Sequence, residues 1–101
     1  PILRADVRFW LDEHFMGEQV AVKQPPIERV EARGHDEDDH IQRVIFVKDG
    51  KDAQVESGFN SSRAEVSWQD NGFEPGRHYY YVRVEFASGR QAFSSPVFVN
   101  Y

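Results

Sequence analysis

The strongest constraint on how this chain folds is a strict alternation of side chains in its last third. Across residues 80–86 every second residue is aromatic or aliphatic, and charged residues such as Arg83 and Glu85 lie between them. Successive side chains of a β-strand point to opposite faces, so this period of two indicates a strand with one buried face. The same period recurs at residues 5–12 and 64–68, and no segment shows the period of about 3.6 of an amphipathic helix. The pattern therefore predicts an all-β domain.

Turn-forming residues divide the chain into short strands. Asp-Gly at residues 49–50 predicts a hairpin, because glycine adopts the positive φ that a tight two-residue turn requires. Pro-Pro at residues 25–26 ends a strand, since proline has no N–H to donate. Ser-Ser-Pro at residues 94–96 interrupts the last strand as a bulge or an edge strand does. About seven short strands, at spacings of about 8–12 residues, predict an immunoglobulin- or fibronectin-III-like antiparallel β-sandwich.

The size and charge of the chain narrow the classes of function. Its 101 residues provide for a single domain, residues 1–101, with one hydrophobic core. The 17 acids and 12 bases give a net charge of −5, and the lysines and arginines are spread singly rather than gathered in a basic patch. We therefore expect no nucleic-acid partner, because nucleic-acid binding depends on such a patch. We also expect no membrane partner, since no apolar run approaches the roughly 18 residues of a spanning helix.

The chain contains no cysteine, which excludes disulfides, thiol nucleophiles and cysteine-ligated zinc. This does not fix the compartment, because exported bacterial β-domains, periplasmic or extracellular, often lack disulfides too. The sequence opens at Pro1 without a starting methionine. From this opening we expect a module excised from a larger protein.

A cluster of histidines and acids between two predicted strands is the candidate metal site. Imidazoles and carboxylates together ligate zinc, and carboxylates alone suit calcium. The spacing matches no defined ligand pattern, since a calcium-binding EF-hand needs acids at alternate positions, a glycine and a distal glutamate. We therefore expect a solvated acidic loop and no cofactor, with a weak calcium site as the alternative. The candidate ligands are His35, Asp36, Asp38, Asp39 and His40.

The chain carries no arrangement of side chains that is typical of catalysis. General acid–base chemistry needs two carboxylates that face each other across a cleft, whereas Asp6, Asp12 and Glu85 lie on predicted solvent faces of strands. Ser94 and Ser95 precede a proline and lack the Gly-x-Ser-x-Gly context of a nucleophile elbow. We expect no catalytic residue in this chain.

Aromatic side chains that are out of phase with the buried faces form the candidate interaction surface. Exposed rings dock against another domain or stack on sugar rings, unless loops cover them. In contrast, Trp68 and Phe86 are in phase with the buried faces and are predicted to lie in the core, with Trp68 as its central anchor. The candidate surface residues are Trp10, Tyr79, Tyr81, Phe98 and Tyr101.

Residues 73–79 (FEPGRHY) resemble the approach to the penultimate strand of fibronectin type III domains. There a large apolar residue and a Pro-Gly turn precede the tyrosine of a tyrosine corner, whose hydroxyl binds a nearby backbone group. The linear spacing of the motif favours Tyr79 as the corner tyrosine. The alternation along the strand favours Tyr80.

Residues 79–99 (YYYVRVEFASGRQAFSSPVFV) resemble the C-terminal β-domain of PHP-superfamily metallohydrolases of the carbaryl-hydrolase type. Residues 7–17 resemble that family's strand ending in a Met-Gly turn, and residues 41–50 resemble its hairpin. Phe93 and Phe98 stand where the family commonly has tryptophan. The loop at residues 36–39 is longer than the corresponding loop of the family. The family's catalytic His and Asp ligand motifs lie far upstream of this domain and are not in this chain.

The resemblance implies a non-catalytic accessory module from the C-terminal end of a larger metal-dependent phosphoesterase. Its partner would be the adjacent catalytic domain, on which it would pack to stabilise that domain or mediate assembly. A module that binds a glycan or another extracellular polymer is the alternative function.

Overall fold

The computed structural model describes residues 5–34, 37–72 and 74–100. Within them the chain forms strands and no helix, so no membrane-spanning helix occurs in the described part of the chain. The all-β prediction is confirmed. The strands are β1 (Ala5–Leu11), β2 (His14–Phe15), β3 (Gln19–Ala21), β4 (Ile27–Gly34), β5 (Ile41–Lys48), β6 (Lys51–Ser57), β7 (Arg63–Gln69), β8 (Arg77–Phe86), β9 (Gln91–Phe93) and β10 (Val97–Asn100).

The strands form two sheets that pack face to face, which confirms the predicted sandwich. The first, called here the β4 sheet, has the order β2-β1-β4-β7. The second, the β8 sheet, has the order β3-β10-β8-β5-β6, with β9 also paired to β8. All strand pairs are antiparallel except β3 with β10, which run parallel. In that parallel pair, three further backbone hydrogen bonds flank the strand register: Gly17 N–H to Pro96 O, Phe98 N–H to Glu18 O, and Val22 N–H to Asn100 O.

Large side chains from the inner faces of both sheets fill the core. Phe9 comes from the β4 sheet, while Phe46, Tyr80 and Phe86 come from the β8 sheet, and all four are at most 1% exposed. Burying a side chain of this size contributes about 1.5–3 kcal/mol. Phe9, Tyr80 and Phe86 occupy positions that the period of two assigned to the buried face, and Phe86 is in the core as predicted.

Trp68 is not the central anchor of the core, so that prediction was wrong. It lies on β7, the last strand of the β4 sheet, where it is half-buried and packs on Phe46 with 5.5 Å between ring centroids. Periodicity identifies the face on which a side chain lies, but not the position of its strand in the sheet. At an edge strand one side of an inward ring stays open, so the central place belongs to Tyr80, Phe9 and Phe46.

Two turns show how local sequence fixes the strand connections. Asp49 and Gly50 have φ values of +53° and +82°, the two positive angles of a tight hairpin turn, and join β5 to β6 as predicted. At the end of β1 a second turn leads into the short strand β2, whose residues His14 and Phe15 pair with Leu11 and Trp10. That hairpin begins at Asp12, whose φ is +53°.

The last strand is broken at Ser94 as the sequence predicts. The two pieces, β9 and β10, both pair with β8, one on each side of the break. The Ser94 side chain bridges the gap, because the Val82 N–H donates to Ser94 Oγ at 2.8 Å while the Ser94 N–H donates to Val82 O at 2.9 Å. The serine hydroxyl thus replaces a backbone acceptor in the ladder.

Candidate interaction surface

A row of four aromatic side chains crosses the outer face of the β8 sheet. Tyr79 and Tyr81 project outward from β8, because Tyr80 between them faces the core. Phe98 on β10 lies opposite Tyr79, and Phe93 on β9 lies opposite Arg83, two residues beyond Tyr81. Successive centroids along the row Phe98, Tyr79, Tyr81 and Phe93 are 6.3, 6.4 and 6.4 Å apart. This set is called the aromatic row.

Aliphatic side chains of β5 and β6 continue the row across the sheet. Val47 lies opposite Tyr81, and Ile45 lies opposite Val55. The three aliphatic side chains therefore share the outer face with Tyr81. Ile45 and Val47 are nearly buried there, although they do not belong to the core between the sheets. The aromatic row with Ile45, Val47 and Val55 is called the outer apolar face. Its exposed members are Phe93 at 56%, Val55 at 48% and Phe98 at 46%.

Charged side chains border the outer apolar face at one end and neutralise one another. The Arg83 guanidinium binds Asp52 and Glu85, each at 3.1 Å. Arg43 forms a further ion pair with Glu85. Because these charges are paired within the chain, this border offers no uncompensated charge to a partner.

A histidine–aspartate pair holds the opposite end of the face in place. His78 Nδ1 lies 2.6 Å from Asp49 Oδ2, and its Nε2 lies 2.8 Å from the Glu74 carbonyl oxygen. Asp49 Oδ1 also accepts the Tyr79 N–H at 3.0 Å. Both ring nitrogens face acceptors, so the imidazolium form satisfies both. The hydrogen bond to Asp49 is the main cause that raises the pKa of His78, and it outweighs the opposing effect of burial.

The pKa of the Asp49 carboxyl shifts in the complementary direction. Burial alone raises it, but the hydrogen bonds from His78 and from the Tyr79 N–H outweigh burial and leave the pKa below its usual value. The two opposed pKa shifts favour the imidazolium–carboxylate form of the pair, which fastens the β5–β6 turn to the start of β8.

Beneath the outer apolar face, Asp70 accepts hydrogen bonds from three polar groups at one end of the core. The Tyr80 hydroxyl donates to Asp70 Oδ2 at 2.6 Å, and Lys48 Nζ donates to the same oxygen at 2.9 Å. The Gly72 N–H donates to Asp70 Oδ1 at 3.0 Å. Burial raises the pKa of Asp70, but the bonds from Tyr80, Lys48 and Gly72 together lower it below its usual value.

These contacts distinguish the two tyrosines that the sequence left as alternatives for the corner. Tyr80 is the inward residue and is fully buried, whereas Tyr79 is half-buried on the outer face. The Tyr80 hydroxyl donates to the side chain of Asp70, ten positions upstream. Phe73, the apolar residue of that motif, lies outside the described residues.

Glu28 is a buried carboxyl group that the sequence analysis did not identify. Its side chain is fully buried, and within the described chain neither carboxylate oxygen has a hydrogen-bond partner. Burial raises its pKa to about 9, with Asp70 and then Asp12 adding to the rise and Lys48 opposing it. The available signal was phase, since Glu28 is on the same face of β4 as Val30.

The structure brings together three of the five predicted surface aromatics. Tyr79, Tyr81 and Phe98 belong to one row, to which the structure adds Phe93. Trp10 projects from β1 in the other sheet, where its ring lies 5.4 Å from the Phe15 ring and 4.2 Å from the Arg29 guanidinium carbon. Tyr101 lies outside the described residues.

The predicted metal loop is built around Asp39. This side chain is buried and accepts the Ser88 N–H at 2.9 Å and the Ser88 hydroxyl at 2.6 Å, so it fastens the β8–β9 turn. His40 and Asp38 are exposed, and His35 and Asp36 lie outside the described residues. In the ranges that the structure describes, no three His, Asp or Glu side chains come together as metal ligands.

No protein-family model matches this chain, and no curated protein sequence does. Among solved structures, it is similar to the fibronectin(III)-like modules of CbhA from Clostridium thermocellum, with a TM-score of 0.56 and 18% sequence identity. The match covers 91% of this chain and 93% of that one. At this identity the likeness shows the fold, which is a fibronectin-III-like β-sandwich.

Proposed function

We propose that this fibronectin-III-like chain is a non-catalytic accessory module that packs on a neighbouring catalytic domain through its outer apolar face. A module of this fold fits an accessory or binding role. The observation that carries the proposal is the concentration of exposed Phe93, Phe98 and Val55 around half-buried tyrosines on one side of the sandwich. Contiguous apolar patches on a small monomer commonly mark interaction sites.

The geometry of the rings favours a protein surface as the partner. Phe98 is tilted by 44° to Tyr79, and Phe93 by 50° to Tyr81, so the row presents ridges instead of one flat plane. Ridged apolar surfaces interdigitate with protein side chains, as the centres of protein interfaces do. Because Arg83, Asp52 and Glu85 pair among themselves, the partner needs apolar area more than charge.

The proposed parent is a PHP-type metal-dependent phosphoesterase. What supports this choice is the resemblance of residues 79–99, together with the order of the resembling segments along the chain. In such a parent the metal chemistry belongs to the catalytic domain, and this module would stabilise that domain or mediate assembly.

The size of the native polypeptide, detected in cells of origin with an antibody to this domain, is the first test. A band far above 11.7 kDa is expected, and a band at that mass would contradict the accessory role. The parent is then assayed for phosphoesterase activity and thermal stability with Tyr81→Ser and Phe98→Ser. Phe15→Ser, which removes a ring that is 39% exposed on the other sheet, is the matched control. Equal effects of the control and the two face variants would refute docking through this face.

One observation favours a second function, the binding of a glycan or extracellular polymer. Tyr79 and Tyr81 are nearly parallel, with 7° between their planes, and parallel neighbouring rings can stack on successive sugar rings. This function predicts retention on a polysaccharide gel that Tyr81→Ala abolishes and Phe15→Ala leaves intact. Equal retention of the two variants would exclude the tyrosine pair as the binding site.

A further inference from the structure

β6 forms one of the two edges of the β8 sheet, and the ladder shows which of its backbone groups point away from β5. The Asp49 N–H donates to Tyr79 O, so within residues 43–48 the odd-numbered residues of β5 bond to β8 and the even-numbered ones bond to β6. Val44 and Phe46 lie opposite Glu56 and Gln54, which are therefore the β6 residues that bond inward. The backbone N–H and C=O of Val55 consequently point away from β5, in the plane of the sheet and past its edge.

The outward groups of β6 form a short, regular pairing edge. Ser57 is in phase with Val55, so its N–H also points outward, and in the described part of the chain neither N–H has a partner. The irregularity in the β5–β6 ladder lies between Phe46 and Val47, beside the start of β6, and leaves residues 54–57 in regular register. An exposed regular edge of this kind pairs readily with another strand.

We propose that a second copy of this chain binds here, with the two β6 strands pairing antiparallel about a two-fold axis at Val55. Each Val55 then exchanges backbone hydrogen bonds with its equivalent, and each Ser57 N–H faces the edge of the other copy. An isologous pairing of this type is the commonest way in which identical chains associate. The proposal does not depend on what the outer apolar face binds.

Charge and side-chain chemistry select this register over its neighbours. Gln54 lies opposite Glu56 of the other copy, and the same two groups already bond at 2.9 Å within one chain. Sliding the strands so that Ala53 faces Val55 places Asp52 opposite Glu56, which puts like charges directly across from each other. Sliding them the other way, so that Ser57 meets Ser57, takes the pairing past the end of β6.

The side chains at the axis also favour association. Val55 is 48% exposed in the single chain and meets its equivalent on the outer face, next to the nearly buried Ile45. The two outer apolar faces thus become one continuous surface. On the opposite sheet, the edge strand β7 packs over β5. On the side of the sandwich that β7 borders, β6 is therefore the outermost strand of the β8 sheet.

Sedimentation equilibrium from about 10 µM to about 1 mM measures the association. We expect the mass to rise from 11.7 kDa toward twice that value, and Val55→Lys to weaken dimerisation roughly tenfold by opposing two like charges. Val55→Glu should weaken it similarly, while an equimolar mixture of the two variants should recover association. Ile27→Lys, at a residue 51% exposed on the other sheet, is the matched control and should dimerise normally.

Amide hydrogen exchange on the unsubstituted chain gives a second measurement that needs no variant. Exchange at Val55 and Ser57 should slow as concentration rises, whereas exchange at the inward-bonded Gln54 should not change. A monomer at every concentration would overturn the proposal. So would a dimer that Val55→Lys leaves intact, or a mixture of the Lys and Glu variants that fails to associate.

Discussion

Replacing Glu28 with glutamine tests how the buried polar cluster governs stability. The Glu28 pKa is about 9 in the folded protein, against a reference value of 4.5 that applies to the unfolded chain. Between these values the folded protein holds a proton that the unfolded chain has released. The free energy of unfolding therefore falls as the pH rises, because unfolding releases a proton. The contribution of protonated Glu28 is fully present below pH 4.5 and is lost as the pH approaches 9.

The size of the effect follows from the same two pKa values. Each pH unit inside this window costs about 1.4 kcal/mol, so stability falls by about 4 kcal/mol from pH 5 to pH 8. That is a large fraction of the roughly 5–15 kcal/mol that stabilises a domain. Glu28→Gln removes the slope, since an amide does not ionise. It also introduces a buried amide donor, at a fixed cost of about 1–3 kcal/mol.

The variant should therefore be less stable than the unsubstituted chain at pH 5 and more stable at pH 8. Urea unfolding, followed by the fluorescence of the two tryptophans, measures both proteins at each pH unit across this range. Glu31→Gln is the matched control, because Glu31 is on the outer face of the same strand. Parallel stability curves for Glu28→Gln and the unsubstituted chain would refute a buried, protonated carboxyl at this position.

Three further measurements examine other contacts. Tyr80→Phe should destabilise the fold by about 1–3 kcal/mol in urea unfolding, because Asp70 loses a buried donor, whereas an equal cost for Tyr79→Phe would contradict this assignment. Gly50→Ala should lower the melting temperature more than Gly58→Ala does. Both residues have positive φ, but of the two only Gly50 would place the new Cβ against another atom, Tyr79 Oη at 3.2 Å. Equal melting temperatures of the two variants would show that this contact relaxes freely. In an NMR titration the His78 imidazole should have its midpoint above pH 6.5, and Asp49→Asn should lower that midpoint. The stability that the protonated His78 contributes is present below pH 6.5 and is lost as the pH rises through the folded-state pKa. A midpoint that Asp49→Asn leaves unchanged would disprove the pair.

The sequence predicted the strands well because periodicity is a local property. The alternation around Tyr80 and Phe86 identified the inward face of β8, and the Asp49-Gly50 turn identified a hairpin. What periodicity does not contain is the lateral order of strands. That order places Trp68 at an edge and separates Trp10 from the aromatic row.

The composition of the outer apolar face was also only partly predictable. Tyr79 and Tyr81 were recognised because they alternate with core residues. Ile45 and Val47 were not assigned to it, since β5 is apolar on both faces and a continuous apolar run carries no phase. Glu28 was missed because its burial depends on the partner sheet above it, which local sequence does not describe.

The parallel pairing of β3 with β10 has a consequence for how the module responds to mechanical tension. If the chain is pulled from its two ends, the early strand and the last strand are drawn in opposite directions along their length. The hydrogen bonds from Gly17 to Pro96 through Val22 to Asn100 are then loaded together in shear instead of opening one by one. In single-molecule pulling, Val22→Pro, which deletes the last of these donors, should lower the unfolding force more than Ile27→Pro does, and equal forces would exclude this clamp. If this clamp holds, the core of the module stays closed while its two ends are under tension.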